Sequence, residues 1–184
     1  MKLIFKIFVI FLIFYSLQSC KEGSNTPLKK EATAKEPQEK IDKSLFLYFD
    51  GTFEKDDEFS VYYLTVEDTQ IKPKNAIIKK VKGSSKKQRI EFHFPNEIIP
   101  TRIFFKLGNN LNQKIIVHEV ILVQNKKEVH ISDSLFYNYF NPNKAIVYDK
   151  SNYTITIDSS NKGNEPMIYS RVPLEDKLDL EFEW

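Results

Sequence analysis

The feature that most constrains this chain is where its aromatic residues fall. Eleven Phe, eight Tyr and Trp184 lie after residue 44, and residues 21–44 carry no aromatic at all. Within 45–184 the apolar residues recur with period two. Ile90, Phe92 and Phe94 alternate with Arg89, Glu91 and His93, and Ile103, Phe105 and Leu107 form another such set. Leu178, Leu180, Phe182 and Trp184 alternate with Asp179, Glu181 and Glu183. That period is the pleat of a strand with two unlike faces.

Further strands are predicted over 45–49, 59–66, 76–81, 115–123, 128–131, 145–148, 153–157 and 167–169, each short and rich in β-branched or aromatic residues. Turn chemistry divides them: Asp50-Gly51, Lys82-Gly83-Ser84, Pro95-Asn96, Gly108-Asn109-Asn110, Gln124-Asn125-Lys126, Asn141-Pro142-Asn143 and Lys162-Gly163-Asn164. Breaks every 10 to 15 residues or so, with no alternating helices, predict an all-β antiparallel sandwich of the jelly-roll type. One short helix is expected near 132–140, with Ser132 or Asp133 as its N-cap.

The first 44 residues read differently. Lys2 and Lys6 precede an apolar run from Ile7 to Tyr15. The run is too short to span a bilayer as a permanent helix and has the length of a signal-peptide core. Lys21 to Ser44 holds only Leu28 and Ile41 as large aliphatics, too little apolar area to offset ordering, and reads as a flexible tether. The division is 1–19 signal peptide, 20–44 anchor and tether, 45–184 sandwich. The formal charge of +2 belongs to Lys2 and Lys6, leaving 25 basic and 25 acidic side chains from residue 20 onward. That balance gives no global attraction to nucleic acid.

Leu17-Gln18-Ser19-Cys20 resembles the lipobox of bacterial lipoproteins. The resemblance implies cleavage before Cys20 and acylation of that cysteine. It implies a cell-envelope protein held by its lipid, in the outer membrane of a Gram-negative bacterium and facing either the periplasm or the surface. Several acyl chains hold a protein stably where one does not. Cys20 is the only cysteine, so no intramolecular disulfide forms. Lys21-Glu22 resembles the surface-export tags of some such lipoproteins, and an arbitrary polar start of the tether explains it equally well.

Residues 59–123 resemble jelly-roll domains of the galactose-binding-like and carbohydrate-binding-module type. The resemblance rests on Val61-Tyr62-Tyr63, on Val81-Lys82-Gly83 leading to Gln88-Arg89-Ile90-Glu91-Phe92, on the run from Pro100 to Gly108, and on Ile115 to Val123. It implies a non-enzymatic binding module, with glycan as the ligand class. Tyr62, Tyr63, Tyr137, Tyr139 and Tyr148 are then the candidate stacking residues, each with a flat face and a polar tip.

Other groups of residues are weighed in the same way. Lys79, Lys80, Lys82, Lys86, Lys87 and Arg89 sit in a stretch free of acids. They offer a surface for anionic glycan, phosphate or lipid headgroups, and equally a lysine-guarded edge strand, which is the favoured reading. Glu54, Asp56, Asp57 and Glu58 are hard oxygen donors for Ca²⁺, but without the spacing of a calcium loop they read as a solvated turn. His93, His118 and His130 lack metal-ligand spacing, so no metal site or cofactor is expected. No nucleophile motif or phosphate loop is present, and no catalytic residue is assigned. The expected partners are the membrane, through the lipid, and a glycan. The alternative is a structural or assembly lipoprotein that docks another envelope protein by a sheet face or edge.

Overall fold

The computed structural model describes residues 43–161 and 163–182. The segments read as signal peptide, lipobox with Cys20 and tether up to residue 42, and also Trp184, lie outside the described residues.

The strands are β1 (Phe46–Phe53), β2 (Asp57–Leu64), β3 (Ala76–Val81), β4 (Gln88–His93), β5 (Arg102–Leu107), β6 (Lys114–Gln124), β7 (Lys127–Ser132), β8 (Phe140–Pro142), β9 (Ile146–Asp149), β10 (Thr154–Ile157) and β11 (Met167–Ser170). Helix α1 spans Asp133–Tyr139 and α2 spans Val172–Glu181. Sheet A has the order β4-β1-β6-β10-β9, with β7 also paired to β6, and sheet B has the order β3-β2-β5-β11-β8. Every pairing is antiparallel. The chain changes sheet between β1 and β2, β3 and β4, β4 and β5, β5 and β6, β7 and β8, β8 and β9, and β10 and β11. The described residues therefore form the antiparallel β-sandwich that the alternation predicts.

The core lies between the sheets. Phe49 of β1 meets Phe59 of β2 at 4.8 Å and Phe105 of β5 at 5.3 Å, both nearly edge-on. Phe136 of α1 closes on Phe140 at 4.8 Å. All five rings are fully buried. Burying a ring of this kind contributes about 1.5–3 kcal/mol, with an edge-to-face bonus near 1 kcal/mol.

Helix α1 falls where the sequence places it, with Ser132 as N-cap residue. Three expectations are corrected. The first concerns 178–184, read as a strand, where α2 occupies most of the segment. Leu174, Leu178 and Phe182 are buried while Leu180 is 78% exposed. Their spacing of four satisfies a helix as well as an alternating pattern, and Pro173 in the first turn favours the helix.

The second correction is Asp50-Gly51, which does not end β1. The strand continues to Phe53 and shifts register against β6 at that pair, a β-bulge. A Cβ on Gly51 would lie 2.7 Å from the Phe49 ring and 3.2 Å from the Ile116 carbonyl, so the close approach needs glycine there. The third is Asn141-Pro142, read as a turn. It belongs to β8, an edge strand, where a proline without N–H is tolerated.

Candidate functional site

Strand β1 and Leu45 just before it carry large apolar side chains on both faces. Leu45, Leu47 and Phe49 point into the core and are fully buried. Phe46 and Tyr48 are therefore turned outward, half-buried on the outer face of sheet A. Their rings are parallel within 7°, with centroids 6.3 Å apart. His93, the β4 partner of Phe46, stacks on the Phe46 ring at 4.2 Å.

The registers of β4, β1, β6 and β7 lay out this face as rows. His93, Phe46, Val123 and Glu128 form one row; Glu91, Tyr48, Ile121 and His130 the next; Arg89, Asp50, Glu119 and Ser132 a third. In the first two rows apolar side chains occupy the middle and charged or imidazole groups the margin, while the third row is charged in the middle as well.

The margin is held in place. Arg89 donates from Nε to Asp50 Oδ1 at 2.7 Å and from Nη2 to Oδ2 at 2.9 Å. Lys87 Nζ adds a contact to Oδ2 at 2.9 Å. Asp50 is only 2% exposed, yet its carboxyl is held below the usual range, chiefly by the hydrogen bonds from Arg89. The guanidinium so fixed lies 5.1 Å over the Tyr48 ring.

Across the sheet, His130 Nδ1 lies 2.9 Å from Glu119 and Nε2 lies 2.9 Å from Glu128. Two carboxylates only accept, so the charged imidazole, donating from both nitrogens, fits them best. Its pKa is raised accordingly, by Glu119 first and Glu128 next. His118, the bulge residue, pairs with Thr52 Oγ1 at 3.0 Å. The three histidines thus serve separate local contacts.

The five candidate tyrosines do not form one platform. Tyr63 belongs to the core: it is 6% exposed, edge-on to Phe94 at 5.3 Å, and burial raises its pKa. Its strand parity is that of Phe59 and Val61, and this removes it from any ligand surface. Tyr139 is half-buried against the core.

Tyr62 stands on the outer face of sheet B, in a row with Phe104 and Tyr169. Phe104 in the middle is only 3% exposed, covered by its neighbours and by Arg102 at 5.9 Å. Tyr137 and Tyr148 come together, parallel within 9° at 5.7 Å. The Tyr148 hydroxyl donates to the Asp133 carbonyl at 3.4 Å, and burial pushes its pKa to about 12.

The basic stretch is likewise divided. Lys79 and Lys80 lie on β3, the edge of sheet B, where Lys79 registers with the core residue Phe59. A charge at that rim opposes sheet-to-sheet addition. Lys82 approaches Asp56 at 3.5 Å, Lys87 and Arg89 serve Asp50, and Lys86 is an exposed loop residue. Within the acidic cluster, Asp56, Asp57 and Glu58 line one cavity beside Lys80 and Lys82. Asp56 accepts the Gly83 N–H at 2.7 Å, and Glu54 pairs with Lys114 at 3.3 Å.

Sequence reasoning missed Phe46 and Tyr48. The signal was present: in Leu45-Phe46-Leu47-Tyr48-Phe49 every position is apolar, so whichever face is buried, the other is apolar as well. Comparison with models of known protein families, with curated proteins and with solved structures finds no match for this chain.

Proposed function

We propose that the protein is a non-enzymatic, glycan-binding lipoprotein of the cell envelope, tethered through an acylated Cys20. The observation that carries this is the outer face of sheet A, where the parallel rings of Phe46 and Tyr48 are bordered by Arg89, Asp50, Glu91, Glu119 and His130. A sugar ring has an apolar C–H face and a rim of hydroxyls. The rings take the first by stacking, and planar charged groups take the second by paired hydrogen bonds. Asp50 pre-orders Arg89, so little side-chain freedom is lost on binding.

The test uses the full chain in detergent against a panel of soluble polysaccharides. At least one is expected to bind, with Tyr48→Ala weakening it tenfold or more while the fold is kept. Binding indifferent to Tyr48→Ala, or no binding across the panel, would count against the assignment. In cells, Cys20→Ala is expected to abolish labelling by palmitate, and persistent labelling would remove the anchor.

Docking of another envelope protein is favoured by a different observation. Ile78 on β3 and Val147 on β9 are each more than half exposed, and both strands are sheet edges. Cross-linking from those two positions to an envelope protein, in place of polysaccharide binding, is the result that would support this alternative.

A further inference from the structure

One cluster lies apart from the face of sheet A that carries β4. Tyr137 is on α1, Lys150 follows β9 at the opposite edge of sheet A, and Arg171 immediately precedes α2. Lys150 Nζ stands 3.7 Å from the centroid of the Tyr137 ring, and Arg171 Cζ stands 4.5 Å from the same centroid. One aromatic ring thus gathers two cations.

Among the described residues neither cation has an acidic partner. The acids nearest in sequence are committed elsewhere. Asp149 accepts the Ser151 N–H at 2.9 Å and its hydroxyl at 2.7 Å, and Asp133 accepts the Ser134 N–H at 2.6 Å. Arg171 is fixed by Nε to the Phe140 carbonyl at 3.2 Å and by Nη2 to Asn141 Oδ1 at 3.0 Å, which leaves further guanidinium N–H groups unused. The Lys150 ammonium and the Tyr137 hydroxyl donate to no described residue.

We infer that Tyr137, Lys150 and Arg171 form a binding site for a tetrahedral oxyanion, the sulfate or phosphate ester of a sugar. The several oxygens of such a group each accept a charge-assisted bond of about 2.8 Å, so one anion can take donors from both cations. The anion supplies the counter-charge that the local acids do not, and Arg171 is already oriented to meet it.

The test uses full-length protein in detergent, titrated with glucose 6-sulfate, glucose 6-phosphate and glucose at constant ionic strength, and read by amide chemical shifts around Lys150 and Arg171. Saturable shifts with either ester and none with glucose support the site, and the ester that binds names the anion. Lys150→Gln is expected to weaken the ester at least tenfold, Lys150→Arg to restore it, and Tyr48→Ala to leave it unchanged. Shifts that are equal for glucose and its esters, that never saturate, or that survive Lys150→Gln would overturn the site. Because Tyr48 is outside this cluster, failure here is distinguishable from failure of the sheet A face.

Discussion

Asp50 shows what a single residue does for the outer face of sheet A. Its carboxylate is nearly inaccessible and carries two hydrogen bonds from Arg89 and an ion pair to Lys87. The folded pKa is depressed, so the stabilisation is present above the unfolded carboxylate value near 3.9 and is lost as pH falls through the folded value. Asp50→Asn is expected to cost about 1–3 kcal/mol at neutral pH and less in acid, because the neutral amide no longer binds the guanidinium. Denaturant unfolding at pH 7 and pH 3 measures both; an equal loss at the two pH values would contradict this role. None of this could be read from the sequence. Asp50 stands in an Asp-Gly pair that reads as a turn, and its partners lie 37 and 39 positions away.

At the level of elements, legibility depended on whether one spacing was compatible with two periods. The alternation in β4 has a more buried and an exposed parity, and β4 and β5 both fall within about two residues of where the pattern puts them. In α2 the same kind of alternation misleads, because every second alternating residue is also a helical neighbour. The two structures make opposite statements about Leu180. In the helix Leu178 is buried and Leu180 exposed, whereas in a strand both would share a face. Leu178→Ala is therefore expected to cost about 2–5 kcal/mol and Leu180→Ala less than about 0.5 kcal/mol. Thermal unfolding of the two variants distinguishes them, and equal losses would restore the strand. Edge strand β8 and the bulge in β1 escaped because Pro and Gly signal a turn locally, while pairing partners far along the chain decide otherwise.

Across the whole molecule, the sandwich carries two chemically distinct surfaces. The face spanning β4, β1, β6 and β7 has an apolar middle at Phe46, Tyr48, Val123 and Ile121 and groups of both charges around it. The Tyr137 corner, beyond β9, is cationic. A ligand that carries both a sugar face and an anionic ester has a partner for each group, and affinity then depends on whether one chain of ligand reaches both. The candidate tyrosines were recognisable as residue types but not as a site, since strand parity and register decide that Tyr63 fills the core and Tyr137 meets Tyr148. The most direct measurement is amide and aromatic chemical-shift mapping of the full-length protein as a bound oligosaccharide is titrated in. The largest shifts are expected on Phe46, Tyr48, Arg89, His93 and His130, and Tyr48→Ala is expected to remove them. Shifts confined to other surfaces, with β1, β4 and β7 silent, would contradict this.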